Sequence, residues 1–145
     1  MKFWDSSALV PLLVEEPTSR ALQQEFERDP EVIVWWGTEL ECIFALARQE
    51  RQDTLTGPSM MDGLRRLDGL SLAWREVSPV AKVRQVATRL LRVHPLRAAD
   101  TLQLAAAIVA AEEQPSTLQL VTLDDRLAEA AEREGFRIVR ADRAS

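Results

Sequence analysis

Four acidic residues stand where short apolar runs give way to the next segment. Asp5 directly follows Lys2-Phe3-Trp4, and Asp124 directly follows the run Leu118 to Thr122. Glu41 lies in the first turn of the helical run after Glu31 to Trp36, and Asp100 in the first turn of another helical run. Carboxylates gathered in one pocket repel: two unit charges about 5 Å apart interact by roughly 3 kcal/mol at an effective dielectric of about 20. Without a counterion, part of such a set is pushed to raised pKa values. A divalent cation removes the conflict. The chain has one histidine, His94, and one cysteine, Cys42, which excludes multi-histidine metal sites, cysteine-rich zinc sites and an intramolecular disulfide framework. The remaining donors are oxygens, which suit a hard cation such as magnesium or manganese. A hydrated cation of this kind can supply water of lowered pKa for in-line attack on a phosphodiester and offset charge growing on the phosphoryl oxygens.

Each acid also has a plain structural reading. Asp5 can cap a helix beginning at Ser6, Asp124 one beginning at Asp125, and Thr38 with Glu41 matches a capping box. Asp100 can be an acid favoured by a helix dipole. The neighbours of two of them argue for more. Of the eleven residues Thr101 to Ala111 nine are apolar, the composition of a buried helix, so Asp100 enters near the interior, where an unpaired charge is costly. Glu41 is followed by Cys42-Ile43-Phe44-Ala45-Leu46-Ala47.

The elements that must position these acids alternate along the chain. Strand candidates are Lys2 to Trp4, Glu31 to Trp36, a weak edge strand within Leu72 to Val77, Leu118 to Thr122, and Phe136 to Val139. Helical runs cover Ser6 to Val14, Pro17 to Arg28, Thr38 to Glu50, Pro58 to Leu70, Pro79 to Val93, Arg97 to Glu113 and Asp125 to Glu134, the last ended by Gly135. In Pro79 to Val93, Val80, Val83, Ala87 and Leu90 form one stripe and Lys82, Gln85, Arg89 and Arg92 the other. The alternation predicts a single domain over 1–145 of the α/β class, with a central parallel sheet between two layers of helices (three-layer α/β/α). Active sites of such folds lie at the carboxyl ends of the strands, where the four acids stand.

Composition sets the outer bounds. The 145 residues carry a formal net charge of −5, mildly against a general nucleic-acid binder. The charge is segregated, however: the stretch Val77 to Ala99 has five cations (Lys82, Arg84, Arg89, Arg92, Arg97) and no acid. Lys82, Arg89, Arg92 and Arg97 form a candidate track for a phosphate backbone, an RNA track if the resemblance given below holds; the plain reading is a solvated helix face. Trp35 and Trp36 could stack a base or pack in the core or a subunit interface. Trp4 and Trp74 read as structural, Cys42 as a small buried hydrophobe, and His94 as a helix-end cap. The run Ala8 to Val14 makes a poor signal peptide, and the default expectation is a soluble cytoplasmic protein.

The motifs resemble those of PIN-domain ribonucleases, especially VapC-type toxins of prokaryotic toxin–antitoxin pairs. Asp5-Ser6-Ser7-Ala8-Leu9-Val10 looks like their opening, and Thr38-Glu39-Leu40-Glu41 followed by Ala45-Leu46 like the second acidic motif. Leu96-Arg97-Ala98-Ala99-Asp100-Thr101-Leu102-Gln103-Leu104-Ala105 is similar to the third, and Val121-Thr122-Leu123-Asp124-Asp125-Arg126-Leu127 to the fourth. The resemblance runs in order over essentially the whole chain. It implies that Asp5, Glu41, Asp100 and Asp124 line a metal site for Mg2+ or Mn2+. Glu39 competes with Glu41 and Asp125 with Asp124, and the motif spacings favour Glu41 and Asp124. Asp5 and Asp100 are the expected direct ligands, with Ser6 and Thr122 hydrogen-bonding in support. Gln103 departs from the pattern, standing where many relatives carry His, with no catalytic consequence expected. The implied activity is metal-dependent endoribonuclease cleavage of RNA (tRNA, rRNA or mRNA) to 5′-phosphate and 3′-hydroxyl ends. The implied partners are a cognate VapB-type antitoxin and a second copy in a homodimer. The alternative from another class is a catalytically silent PIN-like module that binds RNA or protein. A receiver- or dehalogenase-type site is disfavoured: Ser6 and Ser7 follow Asp5, and no Lys follows Lys82.

Overall fold

The computed structural model describes residues 1–141; the last four residues of the expected 1–145 domain lie outside the described residues. The strands are β1 (Lys2–Trp4), β2 (Val32–Trp35), β3 (Arg75–Val77), β4 (Gln119–Val121) and β5 (Arg137–Val139). The helices are α1 (Ser6–Leu13), α2 (Ser19–Arg28), α3 (Thr38–Arg51), α4 (Gly57–Ala73), α5 (Ala81–Val93), α6 (Ala98–Ala110) and α7 (Asp125–Arg133), with a short 3₁₀ turn at Pro115–Thr117. All strand pairs are parallel, in the order β3-β2-β1-β4-β5. This is the expected three-layer α/β/α domain.

Side-chain alternation along the strands builds the two faces. Phe3, Ile33, Trp35 and Leu120 join α5, α6 and α7 in one core. Trp4, Val32, Val34 and Val121 point the other way into a core completed by Ala8, Leu9 and Leu13 of α1, Leu22 of α2, Cys42 and Leu46 of α3, and Met60 and Leu67 of α4. Strands buried on both sides read as continuous apolar runs, as Val32-Ile33-Val34-Trp35 does.

Local differences from the sequence pattern have local causes. Leu72 belongs to the end of α4, and β3 is shorter than the run Leu72 to Val77; it is an edge strand, as expected. The helix expected over Arg97 to Glu113 ends at Ala110, where Glu112 and Glu113 take positive φ. Gly135, at φ 105°, sits just past α7, the left-handed position that glycine fills without a Cβ penalty. Trp35 and Trp36 part ways: Trp35 is buried, Trp36 is 57% exposed, and the rings meet edge-to-face at 6.5 Å. Gly37 follows because an added Cβ there would lie 2.7 Å from Trp35 Nε1. Trp4 and Trp74 are buried, as expected of structural residues. Among the described residues no helix is long and apolar enough to cross a membrane.

The strand order locates the crevice. The chain leaves β1 for β2 and then β3 on one side, and crosses back to place β4 on the other side of β1. The connections therefore diverge at the carboxyl ends of β1 and β4, the switch point at which open α/β sheets carry their sites.

Candidate active site

Asp5 leaves β1 at this switch point, its N–H donating to Val121 O of β4 at 3.1 Å. It occupies the N-cap position of α1, yet its carboxylate does not close the helix end with a capping bond. Instead Oδ2 accepts from Ser7 Oγ and from Thr122 Oγ1, each at 2.5 Å. The residue is 3% exposed. Burial pushes its pKa above the ordinary carboxylate value; the Ser7 and Thr122 hydroxyls pull it down, and the nearby Asp124 charge pushes it up again.

Thr122 ties two of the acids together. Its hydroxyl donates to Asp5 and accepts from Asp124 N–H at 3.0 Å. Asp124 itself caps α7, Oδ1 accepting from Leu127 N–H at 3.0 Å, so the capping reading holds for Asp124 as it fails for Asp5. Ser6 spans another gap: its Oγ lies 3.3 Å from Asp5 Oδ1 and 3.2 Å from Glu41 Oε1, and its single proton serves one at a time.

Glu41 lies one turn into α3, half-buried. Burial is the main cause that raises its pKa to about 7; the Gln103 amide and Ser6 hydroxyl oppose the rise, and the charges of Asp5 and Asp100 add to it. The capping box expected of Thr38 and Glu41 does not form. Gly37 is the N-cap, and both Thr38 Oγ1 and Glu41 Oε2 accept from Gln103 Nε2 at 2.9 Å. Asp100, in the first turn of α6, is also raised, first by burial and then by Asp124 and Asp5, with Arg97 and Arg126 pulling it back. The four acids thus reach one end of the sheet from four segments, and Asp5, Glu41 and Asp100 are each raised in part by the charge of another of the set.

No cation answers them at close range. Among the described residues none of the four carboxylates has a Lys, Arg or His within salt-bridge distance. Nor do any three His, Cys, Asp or Glu side chains among them stand close enough to enclose an ion directly. An oxygen-only set without a closed cage fits a cation that keeps much of its water, as magnesium does.

Two supporting residues escape the sequence pattern. Ser7 bonds Asp5 directly and accepts from Leu123 N–H at 2.9 Å; its place two residues after an acid is the available signal. Gln103, expected to have no part, is fully buried against Glu41. Its position on α6 one turn after Asp100 is a signal that the departure from His obscures.

The basic stripe is divided. Lys82 pairs with Glu113 at 3.0 Å, and Arg89 makes a two-point contact with Glu134 at 2.8 and 3.3 Å. Arg92 makes no ion pair among the described residues, and Arg97 sits at the N-cap of α6 beside Asp100. His94 is buried with Nε2 2.7 Å from Glu134, and its N–H closes α5 onto Leu90 O. The Cys42 thiol is pushed up to about 12 by burial and by the nearby acids, consistent with an inert packing role.

Comparison with known proteins gives the family and the fold. The PIN domain model matches residues 2–133, and the chain belongs to the PIN-domain family. It is 30% identical over 139 residues to a protein named Ribonuclease VapC45 of Mycobacterium tuberculosis, covering 96% of this chain and 94% of that one. The fold is similar to that of FitAcB from Neisseria gonorrhoeae (TM-score 0.66, 16% identity, 97% of both chains). It is also similar to that of PAE2754 from Pyrobaculum aerophilum (TM-score 0.62, 21% identity, 95% of this chain and 88% of the other).

Proposed function

We propose that this PIN-domain protein is a magnesium- or manganese-dependent endoribonuclease, the toxin of a toxin–antitoxin pair, with Asp5, Glu41, Asp100 and Asp124 as its hydrolytic centre. The observation that carries the reading is a buried carboxylate, Asp5, held by the Ser7 and Thr122 hydroxyls, with three further acids in electrostatic reach and no cationic side chain within salt-bridge distance among the described residues. A fold retains such an uncompensated set at a cost, and a divalent cation repays it. The name of the Mycobacterium relative supports the choice of ribonuclease over the catalytically silent alternative.

When bound, the cation supplies activated water and offsets charge on the phosphoryl group. The chain's own residues do the rest. Asp5 and Asp100 would be the direct ligands, one fixed by Ser7 and Thr122 and the other half-buried in the first turn of α6. Glu41 and Asp124 bind through water or orient the attacking water, Glu41 being held from behind by Gln103. Ser6, between Asp5 and Glu41, shifts its proton to whichever carries more charge. A VapB-type antitoxin is the expected inhibitor. A second copy in a homodimer is the other expected partner. The protein's setting is the cytoplasm.

The test is digestion of total RNA with and without magnesium or manganese, with the cut ends mapped and Asp5→Asn as control. The reading predicts 5′-phosphate ends that depend on metal and vanish in the variant. Binding of RNA without cutting under every metal condition would favour the silent module.

A further inference from the structure

A depression of about 400 Å3 opens beside the acids, lined by Ser6, Glu41, Phe44, Arg48, Gln52 and Ala99, among others. Its size is that of a small-ligand site. Two of its walls belong to the candidate centre: Ser6 and Glu41 at one end, and Ala99, the residue before Asp100, across the gap. The rest is a single stripe of α3. Glu41, Phe44, Arg48 and Gln52 recur at helical spacing, so the stripe runs from the acids outward, about 10 Å along the axis from Glu41 to Arg48.

The chemistry of this stripe differs from that of the acids. Phe44 is 59% exposed, an aromatic face on the rim of a polar cleft. Arg48 makes no ion pair among the described residues, unlike Lys82 and Arg89. Gln52 ends the helix with no side-chain hydrogen bond among the described residues, while its neighbour Gln49 is anchored by Nε2 donating to Glu16 Oε1 at 3.0 Å. The carboxylates on the rim are Glu41 and, behind Gln49, Glu16. An aromatic ring, a free guanidinium and a free amide in a row are the groups that take up a base face, a phosphate and a base edge. Because the row begins at the proposed phosphodiester-cleaving centre, a nucleotide fits it better than a peptide or a metabolite.

We infer that this depression is the nucleotide subsite next to the cleaved bond, with Phe44 stacking a base, Arg48 holding the adjoining phosphate and Gln52 reading the base edge. The inference rests on the RNA-cleaving reading and adds to it where sequence preference comes from. None of the three touches the reacting atoms, so they act on substrate position and choice of cut.

The experiment compares wild type with Phe44→Ala, Arg48→Ala and Gln52→Ala in magnesium, by steady-state cleavage, end-mapping on a random-sequence RNA, and anisotropy of a fluorescent mixed-sequence oligoribonucleotide. Phe44→Ala is expected to raise KM about tenfold with kcat held within about twofold. Arg48→Ala is expected to weaken binding of all sequences alike and lower the salt slope by about 0.7, with Arg48→Lys restoring most of that slope. Gln52→Ala is expected to flatten the base preference at one position beside the cut. Wild-type cleavage with KM, salt slope and cut distribution unchanged in all three variants overturns the subsite and leaves the nuclease reading standing. A wild type that neither cuts nor binds RNA overturns both. If it binds without cutting, the anisotropy comparison decides, and equal affinities in Phe44→Ala and Arg48→Ala overturn the subsite.

Discussion

The two ends of β1 carry opposite charges under opposite rules. At the amino end Lys2, 6% exposed, meets Glu25 at 2.8 Å and Asp29 at 3.7 Å, and Asp29 also pairs with the Met1 amine. Glu25 is paired again with Arg28 at 2.8 Å. Each of these five charges has a partner of the other sign. At the carboxyl end, three residues along, Asp5 is as deeply buried and has hydroxyls and further acids around it but no ion-pair partner among the described residues. The first end is arranged for stability. The second leaves a deficit that stability alone would not select, and it is the end that carries the proposed hydrolytic centre.

The comparison breaks most sharply if Asp5 is made neutral. Asp5→Asn is expected to lower metal-dependent RNA cleavage by at least about 100-fold, the upper range for loss of a residue that merely supports a ligand, while the protein stays folded by circular dichroism. At the other end, Lys2→Ala is expected to cost about 2 kcal/mol of unfolding free energy in urea titration and to leave kcat near wild type; Arg28 and the Met1 amine keep Glu25 and Asp29 from being fully stranded. Gln103→Leu removes the amide under Glu41 and is expected to reduce cleavage about tenfold, read as a fall in metal affinity by titration calorimetry.

The smallest effects concern stability without metal. Asp5, Glu41 and Asp100 all have raised folded-state pKa values. The metal-free fold therefore holds more protons than the unfolded chain above pH of about 4. Stability from this end is complete below that pH and is lost as the pH climbs through about 7, the value for Glu41. Asp100→Asn is expected to raise the metal-free melting temperature at neutral pH by a few degrees and to flatten this decline, measured by differential scanning fluorimetry. A fall in melting temperature would show that the acids do not strain one another. Added magnesium should raise the wild type and not the variant.

Much of the fold was legible because its signals are local. Val32 to Trp35 is too apolar and too β-branched to be anything but an inner strand, and the near-wholly apolar run after Asp100 required a buried helix. The four acids were legible by position, each at a change from strand to helix or in a first helical turn. The parts that escaped depend on which elements face each other. Periodicity placed Lys82 and Arg89 on a polar face, and nothing in it could show Glu113 and Glu134 waiting across the gap. Gln103 looked neutral because only the packing of α6 against α3 brings it under Glu41. Ser7 was hidden by Ser6, since both follow an acid and the turn geometry decides which hydroxyl reaches which oxygen. Asp5 and Asp124 occupy equivalent cap positions and differ only in what the sheet places beside them.

The crossing from β3 back to β4 has a consequence for synthesis. The acids come from early, middle and late parts of the chain, and β1 reaches β4 only after more than a hundred intervening residues have been made. A nascent fragment emerging from the ribosome carries Asp5 and Glu41 but lacks the strand that brings Asp124 beside them. A centre assembled in this way stays incomplete until the segment carrying β4 and Asp124 has been made and paired with β1.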